Sequence, residues 1–303
     1  MTWRTADLPS FAGRTAIVTG GNSGIGWHTA AALARRGAEV TIACRNPEAG
    51  ERAAADMRAV GGGDIRVAPL DLADLASVRS FADAWDRPLD VLVNNAGVMT
   101  PPRYRETVDG FELQFGTNHL GHVALTGRLL PRLRASPAPR VVTVSSIAHQ
   151  RGRPDVLDGN ESGGYQPERA YANSKLANLL FAFELQRQAE LNDSHLVSNA
   201  AHPGVSATGL VTSDQGLGSI PGVRQLAPAM LRVLFQSAAA GADPILYAVA
   251  EAGPGSYTGP QRLRESRGRI GPARTSRYAR DEVLAAKLWD LSRDLTGVDF
   301  SWE

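Results

Sequence analysis

Short apolar runs, most of them rich in β-branched residues, recur along the chain at residues 15–19, 38–43, 65–70, 91–93, 140–144 and 196–200. They lack the polar alternation of a half-exposed sheet; near-continuous apolarity suits strands buried on both faces of a parallel sheet. Between them, residues 25–36, 47–60 and 73–85 carry apolar positions at helical spacing, and longer helical patterns cover 111–133 and 170–191. Asn46 before Pro47 is a good helix start, because proline at the first helical position sacrifices no hydrogen bond. The alternation predicts an α/β fold: a doubly wound parallel sheet with right-handed crossovers.

Two stretches break the rhythm. Residues 147–169 form a Gly/Pro/Asp-rich insertion. Residues 205–235 mix Gly209, Gly216, Gly218, Pro221 and Gly222 with apolar positions, and Leu226, Met230, Leu231 and Leu234 fall at helical spacing. Loops of that length in a compact domain are commonly functional. The second stretch is expected to be a substrate lid, with a permanently packed helix as its alternative. At 303 residues the chain fits one domain, 1–303, carrying the 205–235 segment within it.

Composition narrows the class. A net charge of +1 gives no general case for nucleic acid or a membrane surface, and a single cysteine, Cys44, suits a reducing compartment. The first strand begins at Thr15, too early for a leader or anchor before it, and the most apolar stretch, 176–183, is too short to span a bilayer. A cytoplasmic protein without a membrane anchor is expected. The arginine cluster of Arg262, Arg264, Arg267, Arg269, Arg274, Arg277 and Arg280 has little aromatic interleaving beyond Tyr278. It reads as a solvated or subunit-facing segment, and a homo-oligomer stays open.

Two motifs carry chemistry. The run Thr19-Gly20-Gly21-Asn22-Ser23-Gly24-Ile25-Gly26 follows the first strand and opens a helix. Its glycines allow a tight turn and close backbone approach, while the helix N-terminus offers free N–H groups to a pyrophosphate. Tyr171 and Lys175 are one helical turn apart, and of 32 basic residues only Lys175 and Lys287 are lysine. A compact ammonium beside a phenol is expected to stabilise the phenolate and lower its pKa, making a proton-handling pair. Arg45 ends the second strand after Cys44, with no carboxylate to repel a 2′-phosphate, which favours NADP(H) over NAD(H). Asp71 and Leu72 follow the third strand at the expected adenine edge, although Asp71 could instead cap the next helix, as could Asp74. His119, His122 and His149 have no metal-ligand spacing around them and read as structural, so no metal site is assigned.

Taken in order, Thr19 to Gly26, Asn94-Asn95-Ala96-Gly97, Tyr171 to Lys175 and Pro203-Gly204 resemble the TGxxxGxG, NNAG, YxxxK and PG motifs of the short-chain dehydrogenase/reductase family, over most of the chain. Residues 117–122, Val144-Ser145-Ser146, 174–178, His202-Pro203-Gly204 and the late Leu288-Trp289 to Gly297 resemble its retinol-dehydrogenase-like and WW-domain-oxidoreductase-like branch. The resemblance implies a single Rossmann domain in which Ser146 holds the substrate oxygen, Tyr171 is the general acid/base, and Asn118 completes a water-linked relay through Lys175. Ser145 is then the structural member of the serine pair. It also implies a cofactor site made of Gly20, Asn22, Ser23, Gly24, Ile25, Gly26, Arg45, Asp71, Leu72, Asn94, Asn95, Ala96, Gly97, Tyr171, Lys175, Pro203, Gly204, Val205 and Thr208, with a polar cap tying the sheet end together as the alternative role of Asn94. Membrane-bound members carry an N-terminal anchor for which this chain has no counterpart, so retinoids are not implied. The function expected is NADP(H)-dependent interconversion of an alcohol and a carbonyl on a small apolar substrate. A non-catalytic NADP(H)-binding redox sensor and a C=C reductase are the competing readings.

Overall fold

In the computed structural model, residues 3–159, 164–204 and 237–302 are described; the expected lid at 205–235, with Val205 and Thr208, lies outside them. An eight-stranded sheet runs in the order β3-β2-β1-β4-β5-β6-β7-β8. Its strands are β1 (Thr15–Thr19), β2 (Glu39–Cys44), β3 (Ile65–Pro69), β4 (Val91–Asn94), β5 (Arg140–Val144), β6 (Val197–Ala201), β7 (Tyr257–Arg262) and β8 (Arg267–Pro272). The first seven are mutually parallel, and the order reverses between β1 and β4. In open α/β sheets a ligand crevice opens at such a switch point, beyond the strands' carboxyl ends.

The apolar runs become strands because both faces are covered. Ala16 and Val18, with Val40, Ile42, Val91 and Val93, pack against α1 (Gly24–Arg35), α2 (Pro47–Ala59) and a late helix, Ala238–Ala250. Ile17, Leu92 and Val141 point the other way, onto α3 (Leu75–Asp83), α5 (Gly121–Arg134) and α6 (Pro167–Leu191). Asn46 caps α2 by accepting the Ala49 N–H, and Asp74, rather than Asp71, caps α3. No helix among the described residues is long and apolar enough to cross a membrane.

Three features depart from the sequence pattern. The helical pattern over 111–133 is interrupted: α4 (Leu113–Phe115) passes through a π-helical turn, Gly116–Leu120, before α5 begins. The helix carrying Tyr171 starts earlier than its apolar spacing suggests, because Pro167 occupies its first turn. The arginine-rich segment is the exposed edge: β8 pairs antiparallel to β7, so the sheet is not wholly parallel. Charge on an edge strand discourages pairing with other chains. Two further helices among the described residues, α7 (Ala238–Ala250) and α8 (Glu282–Thr296), lie in the helical layers.

His119 and His122 lie on the interrupted helix and are buried. His122 Nδ1 donates to the Asn118 carbonyl at 3.0 Å and its Nε2 accepts from the Thr19 hydroxyl at 2.9 Å, which requires a neutral ring. Burial, reinforced by the neighbouring His122, pushes His119 down to about 3. Burial pushes His122 down to about 4, opposed by the Asn118 carbonyl and aided by the charge of Lys175. Between those values and about 6.5 the unfolded chain binds more protons than the folded one. Stability is therefore complete above about pH 6.5 and falls on acidification, by up to about 1.4 kcal/mol per pH unit for each histidine. Chemical denaturation at pH 7.5, 6.5 and 5.5 measures this, and His122→Gln should flatten the slope. Equal stability at all three values would mean that these rings can charge inside the fold.

Candidate active site

The carboxyl ends of β1, β2, β4, β5 and β6 open into a cleft of about 970 Å³. On one side, β1 turns into α1 through Gly20, whose φ is +64°. A Cβ there would lie 3.1 Å from the Ala96 backbone, and one at Gly26 would lie 2.4 Å from the Gly20 carbonyl oxygen. Glycine thus brings strand, helix and the segment after β4 within contact. Ser23 makes no side-chain cap, so the first-turn N–H groups of α1, which have no intrahelical acceptor, face the cleft. Gly20, Asn22, Ser23, Gly24, Ile25, Gly26, Arg45, Asp71 and Leu72 all line this half. Asp71 folds back to accept the Ala73 N–H. Asn46, not anticipated as a lining residue, joins them because it caps α2 at the cleft's rim.

The floor is the segment after β4. Thr19 Oγ1 accepts from the N–H groups of Asn95 and Ala96, both at 2.9 Å, and the Asn95 side chain donates to the Thr19 carbonyl at 2.8 Å. Asn95, Ala96 and Gly97 reach the cleft, but Asn94 does not. Asn94 is fully buried and donates to Thr126 Oγ1 at 3.0 Å, which ties the sheet to α5. As the last residue of β4 it points into the helix layer, not upward.

The other half is built by β5 and α6. The Ser146 hydroxyl stands beside the Tyr171 phenol, and its oxygen accepts the Ala148 N–H at 3.2 Å. Lys175 is 5 % exposed; its Nζ donates to the Val144 carbonyl at 3.2 Å and lies 5.7 Å from the centre of the Tyr171 ring. Burial draws the lysine down to about 8. Burial also raises the Tyr171 phenol, with the neighbouring Ser146 hydroxyl opposing, so the protein's own residues do not lower it as the Tyr–Lys spacing alone suggests. Desolvation of the phenolate is the larger of the two effects. Ser145 turns inward, donating to the Lys175 carbonyl at 2.8 Å.

Asn118 lies behind this lining. Its side-chain amide accepts the Val98 N–H at 2.7 Å and donates to the Val98 carbonyl and Ser174 Oγ, both at 3.0 Å, while its backbone carbonyl accepts a hydrogen bond from His122 Nδ1. These bonds brace the floor against α6. A Cβ at Gly97 would fall 2.9 Å from Asn118 Oδ1 and 3.6 Å from Lys175 Nζ, so a glycine there lets the two approach. Pro203 and Gly204 line the cleft beyond β6.

The wall opposite the glycine turn comes from residues that sequence motifs did not single out as a set: Val98, Met99, Thr100, Ile147, Gln150 and Glu168 among them. His149 is buried behind this wall, with Nδ1 donating to the Ser146 carbonyl at 2.6 Å and Nε2 accepting the Ser276 N–H at 3.2 Å; burial takes it to about 4. Among the described residues no group of three or more His, Cys, Asp or Glu could hold a metal ion.

The comparisons agree with this architecture. Residues 14–215 match the family model for short chain dehydrogenase. The chain is 44 % identical to dehydrogenase/reductase SDR family member 13 of Bos taurus, over 96 % of this chain and 75 % of that protein. It is 40 % identical to retinol dehydrogenase 13 of Homo sapiens, over 95 % of this chain and 86 % of that protein. A crystal structure of an uncharacterized protein from Mycobacterium Paratuberculosis superposes with a TM-score of 0.83 at 47 % identity, covering 99 % of this chain and 100 % of that one. The glycine turn, the Tyr171–Ser146 pair beside a buried lysine, and these relatives lead to one assignment: the chain belongs to the short-chain dehydrogenase/reductase family, in its retinol-dehydrogenase-like branch, and is an oxidoreductase.

Proposed function

We propose that the protein interconverts an alcohol and a carbonyl on a small, apolar substrate, using NADP(H), with Tyr171 as the general acid/base. One observation carries the reading: a half-buried phenol beside a serine hydroxyl, with a buried lysine over its ring, in a cleft of about 970 Å³ that also takes in the glycine turn. The cleft suits that cofactor. Its volume is at the upper end of ligand pockets, and Gly20 and Gly26 let the turn close onto Asn95 and Ala96 where Gly24, Ile25 and Gly26, the first turn of α1, line the cleft as a site for a pyrophosphate. Gly20 to Gly26 would hold the pyrophosphate, Asp71 and Leu72 the adenine edge, and Asn95 to Gly97 the floor. Arg45 would meet the 2′-phosphate, the basis for preferring NADP(H).

A bound nicotinamide would supply or accept hydride. The chain's own residues manage the oxygen. Ser146 holds it by a hydrogen bond. Tyr171 delivers a proton to it in reduction and removes one in oxidation. Because burial keeps the phenol protonated near neutral pH, the resting state is the proton-donating one. Lys175 contributes a compact positive charge where the phenolate would form, and Asn118 braces the floor beside it. The sequence similarity to a retinol dehydrogenase supports an apolar alcohol as the substrate class.

Purified protein incubated with NADPH and a panel of apolar aldehydes and ketones should oxidise the cofactor and yield alcohols. Cofactor binding without turnover on any of them would favour a redox sensor, and saturated carbonyl products would favour C=C reduction.

Tyr171→Phe should lower kcat by about 10²–10⁴-fold while NADPH affinity stays within about twofold, because the ring remains and its proton is lost. Near-wild-type turnover would remove Tyr171 from its role. Lys175→Arg should also abolish most activity although charge is kept: a planar guanidinium cannot replace an ammonium in that enclosed space. Arg45→Asp should weaken NADPH binding by about 10–100-fold, the worth of a charge-assisted hydrogen bond, and favour NADH. Titration of both cofactors measures it, and a variant that keeps its NADPH preference would mean that the phosphate is held elsewhere.

A further inference from the structure

Behind the Pro203–Gly204 turn is a buried polar pair to which the proton chemistry assigns no role. His202, just past β6, is fully buried. Its Nδ1 accepts the Gly204 N–H at 3.1 Å. A ring nitrogen that accepts a backbone donor carries no proton, so the network assigns the proton to Nε2. That Nε2 faces Glu265 Oε2 at 3.6 Å and has no hydrogen-bond partner among the described residues. The second Glu265 oxygen accepts the Arg274 N–H at 2.8 Å.

The fold goes to unusual lengths to bring Glu265 there. Leu263, Arg264 and Glu265 are successive non-glycine residues at φ +50°, +55° and +63°, a left-handed turn that L-residues rarely make. It swings the carboxylate of the β7–β8 hairpin inward while Arg262, Leu263 and Arg264 stay exposed. Gly259 clears the space, since a Cβ there would lie 1.9 Å from His202 Nε2. The Tyr257 ring tilts against the imidazole at 5.3 Å. Desolvation opposes charge on Glu265, yet its contacts with His202 and the Arg274 N–H hold the carboxyl below its usual range. The result is an acceptor-only carboxylate aimed at an N–H.

We propose that Glu265 is a positioning residue for the far end of the cleft: its carboxylate holds the Nε2–H tautomer of His202, and that tautomer holds the Gly204 N–H and so the Pro203–Gly204 turn. A role in cofactor affinity follows, and it rests on the dinucleotide reading of the cleft. Simple packing of the hairpin would be indifferent to an isosteric change. Tautomer control would not. In Glu265→Gln the amide oxygen must accept the Arg274 N–H, which turns the NH₂ toward His202 Nε2. Two donors then meet, and the ring relieves the conflict only by moving its proton to Nδ1, against the Gly204 N–H.

The test combines ¹⁵N imidazole NMR with NADPH titration. In the wild type the His202 signals should report Nε2–H; Nδ1–H would overturn the proposal without any variant being made. Glu265→Gln should shift the ring to Nδ1–H and weaken NADPH binding about tenfold, with thermal stability near that of the wild type and kcat at saturating cofactor within about threefold. His202→Asn supplies an oxygen acceptor near the Nδ1 position. It should bind NADPH within about threefold of the wild type, and adding Glu265→Gln to it should cost nothing more. Unchanged affinity in Glu265→Gln, or an undiminished penalty on the His202→Asn background, overturns the proposal. A wild type that binds neither NADPH nor NADH would instead overturn the dinucleotide reading, and the affinity role with it.

Discussion

Strands that end together inside a parallel sheet leave amide groups that no further strand residue satisfies, and a buried amide without a partner costs about 1–3 kcal/mol. This protein satisfies them with side chains. The Val144 carbonyl accepts from Lys175 Nζ and from the Asn178 amide. Thr19 Oγ1 takes the Asn95 and Ala96 N–H groups, and Asn118 takes both backbone groups of Val98. The groups that finish the sheet are largely those that line or brace the cleft. Structural and chemical roles cannot be separated for Lys175: the carbonyl that anchors its ammonium also fixes where that charge lies relative to Tyr171.

The same constraint explains why lysine stands at 175 in a chain that otherwise writes arginine. At 5 % exposure the ammonium reaches one carbonyl, while a guanidinium would bring five N–H donors into a space with few acceptors. Nearby imidazoles stay uncharged for a related reason. Burial is the main cause for His122, and the charge of Lys175 adds to it. A second cation in this low-dielectric layer would be costly, so histidine serves there as a neutral hydrogen-bond bridge between Thr19 and Asn118.

Six of the eight strands were legible because burial on both faces leaves a continuous apolar run. β7 and β8 were not: Gly259 and Pro260 interrupt the first, and the second is an exposed arginine-bearing edge. α7 was obscured by Pro244 within an alanine-rich stretch. α8 did carry readable signals in the Asp281 cap, Leu284, Leu288 and Leu291, and the left-handed Gly297. The placement in the cleft of the glycine turn, Arg45, Asp71, Tyr171 and Lys175 was legible because their order and spacing are local, and that of Ser146 through the family resemblance. Asn94 and Asn118 look equally polar and local in sequence, yet the direction of each side chain is set by packing across elements. Glu265 could not be foreseen, since it reaches His202 only through a left-handed turn at the end of a hairpin.

Besides Asp193, non-glycine residues with positive φ stand at two places among the described residues. One is the 263–265 turn. The other is Thr100, a lining residue at φ +47° whose N–H donates to Gln114 Oε1 at 2.7 Å. The Gln114 amide donates in turn to Tyr165 Oη and to the Pro167 carbonyl, both at 3.1 Å, and Tyr165 Oη donates to the Pro101 carbonyl. Because Pro167 opens the helix that carries Tyr171 and Lys175, the wall at Thr100 and the first turn of that helix form one hydrogen-bonded unit. Relaxing Thr100 to an ordinary φ would break the bond to Gln114 and release the start of α6. A strained residue persists only where its surroundings over-determine it, and here those surroundings also align the phenol.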